Sequence, residues 1–349
     1  MSSWGELIAA LGQVPPEAQG PWLTGRLTSS LQDVVRLRGN RNVMLWGSAF
    51  LQKSILPGPF ISITGEDLNG FMSVIHGMDC TRGLTLIIHT PGGEIGAAET
   101  IVSYLRSKFE SIEVVVPAFA MSAGTMISLA AERIVMGRQS QLGPIDPQIG
   151  VNGRYVSAGA IVAQYEQAVL DVVGAADRDI KGNLEMAHIW APILATLGPA
   201  LLVEARYTLD YGEKMVAGWL GSGMFKMYDD RDAKSAAVAR YFGSAAEHKY
   251  HGRRIGRDEA RGRGLEIEDL ETSQDLQDAV LTAYHVMTIL FDNGPQVKLL
   301  TTDSGALWIK NVQFGQMPGR TQPGPPASFP AEEPPEPPEP PERPERPSE

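Results

Sequence analysis

Between Asn42 and Gly150, short continuous apolar runs alternate with segments whose apolar residues recur every three or four positions. The first pattern is that of buried strands; the second is that of helices packed by one face. FISIT (60–64), LTLIIHT (84–90), IEVVVP (112–117) and RIVM (133–136) are the predicted strands. DLNGFMSVIHGM (67–78), IGAAETIVSYLRSKF (95–109) and SAGTMISLAA (122–131) are the predicted helices. Ala98, Ile101, Val102 and Leu105 share one face of the second helix. Strands alternating with helices require crossover connections, so a mainly parallel sheet in an α/β fold is expected.

The flanks read differently. Residues 1–41 form a leader in which LTSSLQDVVRL has the spacing of an amphipathic helix. Beyond the alternating region, Tyr155–Val173 and Leu194–Met227 read as added helices in the C-terminal half. His251–Leu270 reads as a turn, a helix and a strand, and 275–290 as a final helix. Residues 318–349 hold thirteen of the 25 prolines and seven glutamates, with few apolar side chains to bury. Such a segment is expected to be a disordered, partly polyproline II tail. The expected division is therefore a leader (1–41), a main domain (42–317) and a tail (318–349).

Composition narrows the function. With 43% hydrophobic and 20% charged residues, the 349-residue chain is globular overall. Its single cysteine, Cys80, excludes an intramolecular disulfide framework and fits a reducing compartment. A formal net charge of −11 argues against a nucleic-acid binder. Val114–Ala131 carries no charge, but Pro117, Ser122, Gly124 and Thr125 interrupt it. It reads as strand, turn and helix rather than a membrane span, and the N-terminus has no secretory pattern. A cytoplasmic protein is expected.

Two turns carry the candidate chemistry. His89-Thr90-Pro91-Gly92-Gly93-Glu94 joins an apolar strand to a helix, and its paired glycines permit backbone approaches that side chains forbid. An N–H exposed there would hold a developing oxyanion, and a side chain at Gly93 would obstruct the substrate. The second turn, Pro117–Thr125, presents Ser122 at a helix N-terminus, where free N–H groups favour negative charge. A simple N-cap is the plain alternative for Ser122. Two such turns at the same edge of a parallel sheet are where ligand sites form.

LIIHTPGG (86–93) with Ala98 and Ile101 resembles the PGG segment of the Clp protease and crotonase superfamily, and AMSAG (120–124) resembles its nucleophile turn. LGPIDPQ (142–148) resembles the serine dehydrogenase proteinase family, relatives of signal peptide peptidase A. So do Pro199–Leu220, His251–Leu265 and Leu276–His285, which extends the resemblance over residues 42–295. No GxGxxG turn is present, and no dehydrogenase activity is implied. The resemblance implies a Clp/crotonase-like spiral of β-β-α units and an ATP-independent serine endopeptidase that needs no cofactor or metal. It also implies a homo-oligomer acting on peptide or protein substrates. Ser122 would be the nucleophile, the N–H groups of Gly93 and Ala123 the oxyanion hole, and Gly92 and Gly124 the supporting turn residues.

The general base is left open. Asp146 occupies the position where Clp proteases carry their histidine, and a carboxylate would need a raised pKa to act alone. Signal peptide peptidases use a lysine, for which Lys181 and then Lys214 lie in a suitable interval. A catalytic lysine would need burial to lose its proton near neutrality. His251, in HGRR, is the first histidine to consider if neither lysine serves. His248 and His251 are three apart, but no Cys/His cluster or HExxH accompanies them, so no metal site is expected. His89 would orient the PGG loop or simply pack at a strand end.

Two other functions compete. A non-catalytic assembly or adaptor protein would explain the proline-rich tail and the absence of an obvious base. Crotonase-like acyl-CoA chemistry would use the same paired amides, but it needs no serine at the nucleophile turn.

Overall fold

The computed structural model of the protein describes residues 3–173, 180–198 and 200–312, and of 180–182 the backbone alone. In chain order the strands are β1 (Asn42–Ser48), β2 (Leu84–His89), β3 (Ile112–Val116), β4 (Phe119–Ala120), β5 (Arg133–Met136) and β6 (Gln141–Leu142). They continue as β7 (Gln148–Val151), β8 (Arg154–Ser157), β9 (Ile255–Gly256), β10 (Ile267–Asp269), β11 (Gln296–Thr302) and β12 (Leu307–Asn311). Seven of them form the central sheet in the order β10-β5-β3-β2-β1-β11-β12. The pairs from β10 to β1 are parallel, and β11 and β12 close one edge antiparallel. The fold is α/β with a mainly parallel sheet, as expected.

Period-two alternation divides the sheet between two cores. Met44, Trp46, Leu86, Ile88, Val114 and Val116 face the helices Asp67–Ile75, Ile95–Lys108 and Ala123–Leu129. Val43, Leu45, Ile87, Val115 and Val135 face the helices Pro16–Leu37 and Gln274–Asn293 on the other side. Leu7, Leu11, Leu23, Leu27, Leu31 and Val34 of the leader are buried in that second core. One compact unit covers 1–312, and the tail expected at 318–349 lies outside the described residues.

Several elements depart from the sequence reading, β1 among them, since the predicted strands did not include it. FISIT (60–64) is not a strand: Pro57 and Pro59 preset a helical turn over Gly58–Ile61, and Ile63 makes only a single bridge to Gly93. The segment before the helix Ala158–Val173 is the hairpin β7–β8, turned at Asn152-Gly153 with both residues at positive φ. That is the signature of a two-residue hairpin turn. Finally, β11 and β12 follow the last helix. Lys298 interrupts the apolar run of β11, yet it is buried against Asp67, with Nζ 2.6 Å from Oδ2.

The uncharged stretch 114–131 resolves into β3, β4 and the helix Ala123–Leu129. No helix among the described residues is long and apolar enough to cross a membrane.

Candidate active site

Both sequence turns lie beyond the C-terminal ends of neighbouring parallel strands, β2 and β3. They are tied together. Thr90 N–H donates to Phe119 O (2.9 Å) and Met121 N–H donates to Thr90 O (3.0 Å). Thr125 Oγ1 donates to Ala120 O (2.6 Å) and accepts from Gly143 N (2.9 Å), which links the Ser122 turn to the segment leading to Asp146.

Ser122 is the residue before the helix Ala123–Leu129, with φ 50° and ψ −116°. A non-glycine residue in that region is strained, at a cost of order 1–3 kcal/mol. Its side chain makes no capping hydrogen bond. The plain N-cap reading is therefore set aside, and the hydroxyl is held at a sharp strand-to-helix turn without a partner among the described residues.

The glycines make room for this turn. A Cβ on Gly92, whose φ is +98°, would lie 2.6 Å from both Ser122 Cβ and Met121 O. One on Gly124 would lie 2.4 Å from Thr90 Cγ2. Gly93 answers to a different neighbour: its Cβ would lie 2.2 Å from Ile63 O and 2.5 Å from Ile63 N. The expectation that a side chain at Gly93 would obstruct the substrate is thus corrected. It would strike the Ile63 backbone.

The Ile63 bridge also orients the Gly93 amide. Ile63 N–H donates to Gly92 O (2.8 Å), and Ile63 O accepts from Glu94 N (3.0 Å). In parallel pairing the residue between those two partners directs its own N–H to the opposite side. The Gly93 N–H accordingly has no protein partner among the described residues. The Ala123 N–H is likewise unpaired, being at the first position of its helix. Nothing in the sequence spacing pointed to Ile63 as the brace of this turn.

A cleft of about 510 Å³ opens over these groups, and Ile63, Gly93, Ser122, Asp146, Tyr155 and His251 are among its lining residues. Asp146 is buried. Its Oδ1 lies 2.7 Å from His251 Nδ1, and its Oδ2 accepts from Gln148 Nε2 (2.9 Å). The His251 ring is 30% exposed, and its Nε2 makes no hydrogen bond among the described residues. A carboxylate on Nδ1 favours the tautomer that leaves Nε2 as an acceptor.

The lysines fare differently. Lys214 is exposed, pairs with Asp210 one helical turn away (2.8 Å) and does not line the cleft. Lys181 is the second residue of the helix Ile180–Ala195, and its side chain lies outside the described residues. His89 does not orient the PGG loop by hydrogen bonding. Both ring nitrogens are buried without partners among the described residues, next to Phe50, Phe119 and Tyr284, and burial pushes its pKa down to about 3. Among the described residues no group of three or more His, Cys, Asp or Glu side chains is arranged to hold a metal.

Residues 50–178 match the family of ClpP-like SDH-type serine proteinases. Two uncharacterized proteins of Methanocaldococcus jannaschii are similar. MJ0137 is 40% identical over 109 residues, covering 31% of this chain and 37% of that protein. MJ1495 is 38% identical over 105 residues, covering 30% of this chain and 35% of that protein. The matched stretch is thus little more than a third of either relative's length. Among solved structures, the membrane-bound stomatin-specific protease 1510-N aligns at 20% identity and a TM-score of 0.24, over 36% of this chain and 64% of that one. At that TM-score the likeness carries no structural argument.

Proposed function

We propose that the protein is a serine peptidase in which His251, paired with Asp146, activates Ser122, a reading supported by the match of residues 50–178 to the ClpP-like SDH-type serine proteinases. One observation carries the reading: the Asp146–His251 pair, 2.7 Å apart, shares a cleft with a serine on a strained strand-to-helix turn. His251 Nε2 takes the Ser122 proton as Oγ attacks the scissile carbonyl. Asp146 holds the ring in the required tautomer and stabilises the imidazolium that forms. The Gly93 and Ala123 N–H groups receive the tetrahedral oxyanion. The imidazolium then protonates the leaving amine, and water, deprotonated by the same nitrogen, releases the acyl group.

In this reading Asp146 orients and does not itself abstract the proton, and neither Lys181 nor Lys214 is required. The site acts on peptides or proteins as an endopeptidase, without ATP of its own. Assembly as a cytoplasmic homo-oligomer is part of the same proposal and rests on the resemblance to Clp-type proteases.

The test is Ser122→Ala. Casein hydrolysis and covalent labelling by a fluorophosphonate are expected to vanish while the fold survives. Casein cleavage at the wild-type rate by the purified variant, with contaminating proteases excluded, would refute the peptidase. A protein that neither labels nor cleaves would favour the assembly or adaptor reading.

A further inference from the structure

The proposed base sits on a turn held by side chains outside the cleft. Tyr250–Arg253 closes through Arg253 N–H donating to Tyr250 O (3.0 Å), with His251 and Gly252 at the two corners. Lys249, just before it, lies in the left-handed region at φ 62°. A short exposed turn of this kind does not fix the direction of an imidazole by itself.

Four side chains supply the rigidity. His248 Nε2 donates to Tyr241 O (2.7 Å), which leaves His248 Nδ1 to accept from Arg253 Nη1 (2.9 Å). Arg253 Nη1 also reaches Tyr241 Oη (3.2 Å), and its Nη2 donates to Glu259 Oε1 (2.7 Å). Tyr241 Oη in turn donates to Glu259. His248, two residues before the turn, and Arg253, its last residue, are thus joined across its base and anchored to the helices Arg231–Gly243 and Arg257–Gly262. The arrangement needs a neutral His248. Burial holds that imidazole below its ordinary range, and the Arg253 guanidinium works in the same direction.

We propose that Arg253 is a positioning residue: by clamping the Tyr250–Arg253 turn through His248, Tyr241 and Glu259, it holds the His251 ring against Asp146. The inference rests on the reading of His251 as the base, but the clamp itself is a statement about ring orientation. It can be measured without hydrolysis. The planar guanidinium is what makes the clamp possible, because it serves His248, Tyr241 and Glu259 at once, and a lysine ammonium lacks that fork.

The experiment uses full-length protein with ¹⁵N-labelled histidine, in wild type, Arg253→Met, Arg253→Lys and Glu259→Gln, with His251→Gln to assign the signal. Long-range ¹H–¹⁵N spectra should report one Nδ1–H tautomer for His251 in the wild type. In Arg253→Met and Arg253→Lys that signal should become a tautomer mixture like that of an exposed imidazole. In the same variants kcat should fall between about tenfold and a hundredfold with KM little changed, because the base is misplaced rather than the cleft altered. Glu259→Gln, which keeps the guanidinium, should shift both readouts in the same direction by less, and it decides the matter if Arg253→Met does not fold. An unchanged His251 signal in folded Arg253→Met or Glu259→Gln overturns the clamp, as does full rescue by Arg253→Lys. Should wild-type protein show no Ser122-dependent hydrolysis, the peptidase reading fails, and the spectra still settle whether Arg253 sets the ring.

Discussion

Asp146 and His251 are 105 residues apart in the chain and 2.7 Å apart in the fold, joined through His251 Nδ1. The carboxylate is almost wholly buried and the imidazole partly exposed to the cleft. In the proposed mechanism this pairing makes the aspartate the group that orients the imidazole. His251→Ala and Asp146→Asn should each lower kcat by roughly 10²–10⁴-fold with the fold intact. Lys214→Ala should leave turnover unchanged, since that ammonium is solvated and paired to Asp210. Steady-state kinetics on a peptide substrate separates these outcomes. Loss of activity in Lys214→Ala with none in His251→Ala would reverse the assignment.

Gly92 and Gly96 make a paired test of the nucleophile turn. Gly92→Ala drives a Cβ to 2.6 Å from Ser122 Cβ and imposes a left-handed φ on a residue with a side chain. A stability loss of about 1–3 kcal/mol is expected, together with loss of fluorophosphonate labelling. Gly96→Ala, two residues beyond Glu94, meets nothing within 4 Å in a helix. It should be neutral or stabilise by up to about 1 kcal/mol. Thermal melts and labelling rates of the two variants should therefore diverge. Equal behaviour would mean that Gly92 does not shape the turn.

The strands and helices around the two turns were legible because their burial is one-sided or complete: β2, β3, β5 and the helix Ile95–Lys108 announce themselves by apolar spacing. Ser122, Gly93 and Asp146 were legible as members of motifs. The base was not. Lysine spacing pointed to Lys181 and Lys214, whereas the contact between His251 and Asp146 depends on how the added helices return the chain to the cleft, which no local pattern encodes. The hairpin β7–β8 did carry a local signal, Asn152-Gly153, that the helical reading of its neighbours obscured. At β11 a tertiary effect overrode the pattern, since Lys298 is buried only because Asp67 receives it.

That ion pair supplies the next prediction. Lys298 and Asp67 side chains are 2% and 0% exposed, and the same Asp67 oxygen accepts from Thr64 N (2.8 Å), beside the Ile63 brace. Lys298→Met leaves a buried carboxylate without its cation, at a cost of about 3–5 kcal/mol. The double variant Lys298→Met, Asp67→Asn removes both charges while an amide oxygen can still accept from Thr64. Its melting temperature should recover most of the loss. Chemical denaturation of the two variants checks this. A double variant no more stable than Lys298→Met would mean that the loss is one of packing rather than charge.

His89 should make the fold sensitive to acid. Its ring is fully buried with both nitrogens unpartnered among the described residues, and burial holds its pKa at about 3 against an ordinary 6.5. The neutral form is therefore the one the native state accepts. Between about pH 6.5 and pH 3 the unfolded chain takes up a proton that the native protein refuses, so unfolding is favoured progressively as pH falls through that window. At 1.36 kcal/mol per pH unit, the contribution reaches about 4 kcal/mol three units below the unfolded value. His89→Phe, placed among Phe50, Phe119 and Tyr284, removes the titrating group from an aromatic setting. The variant should therefore lose much less stability than wild type between pH 6.5 and pH 4, measured by denaturant midpoints. His248, whose pKa burial also lowers, remains in both proteins and accounts for a residual slope of the same sign. Identical pH profiles for the two proteins would show that His89 finds a proton partner in solution and does not act as a buried neutral ring.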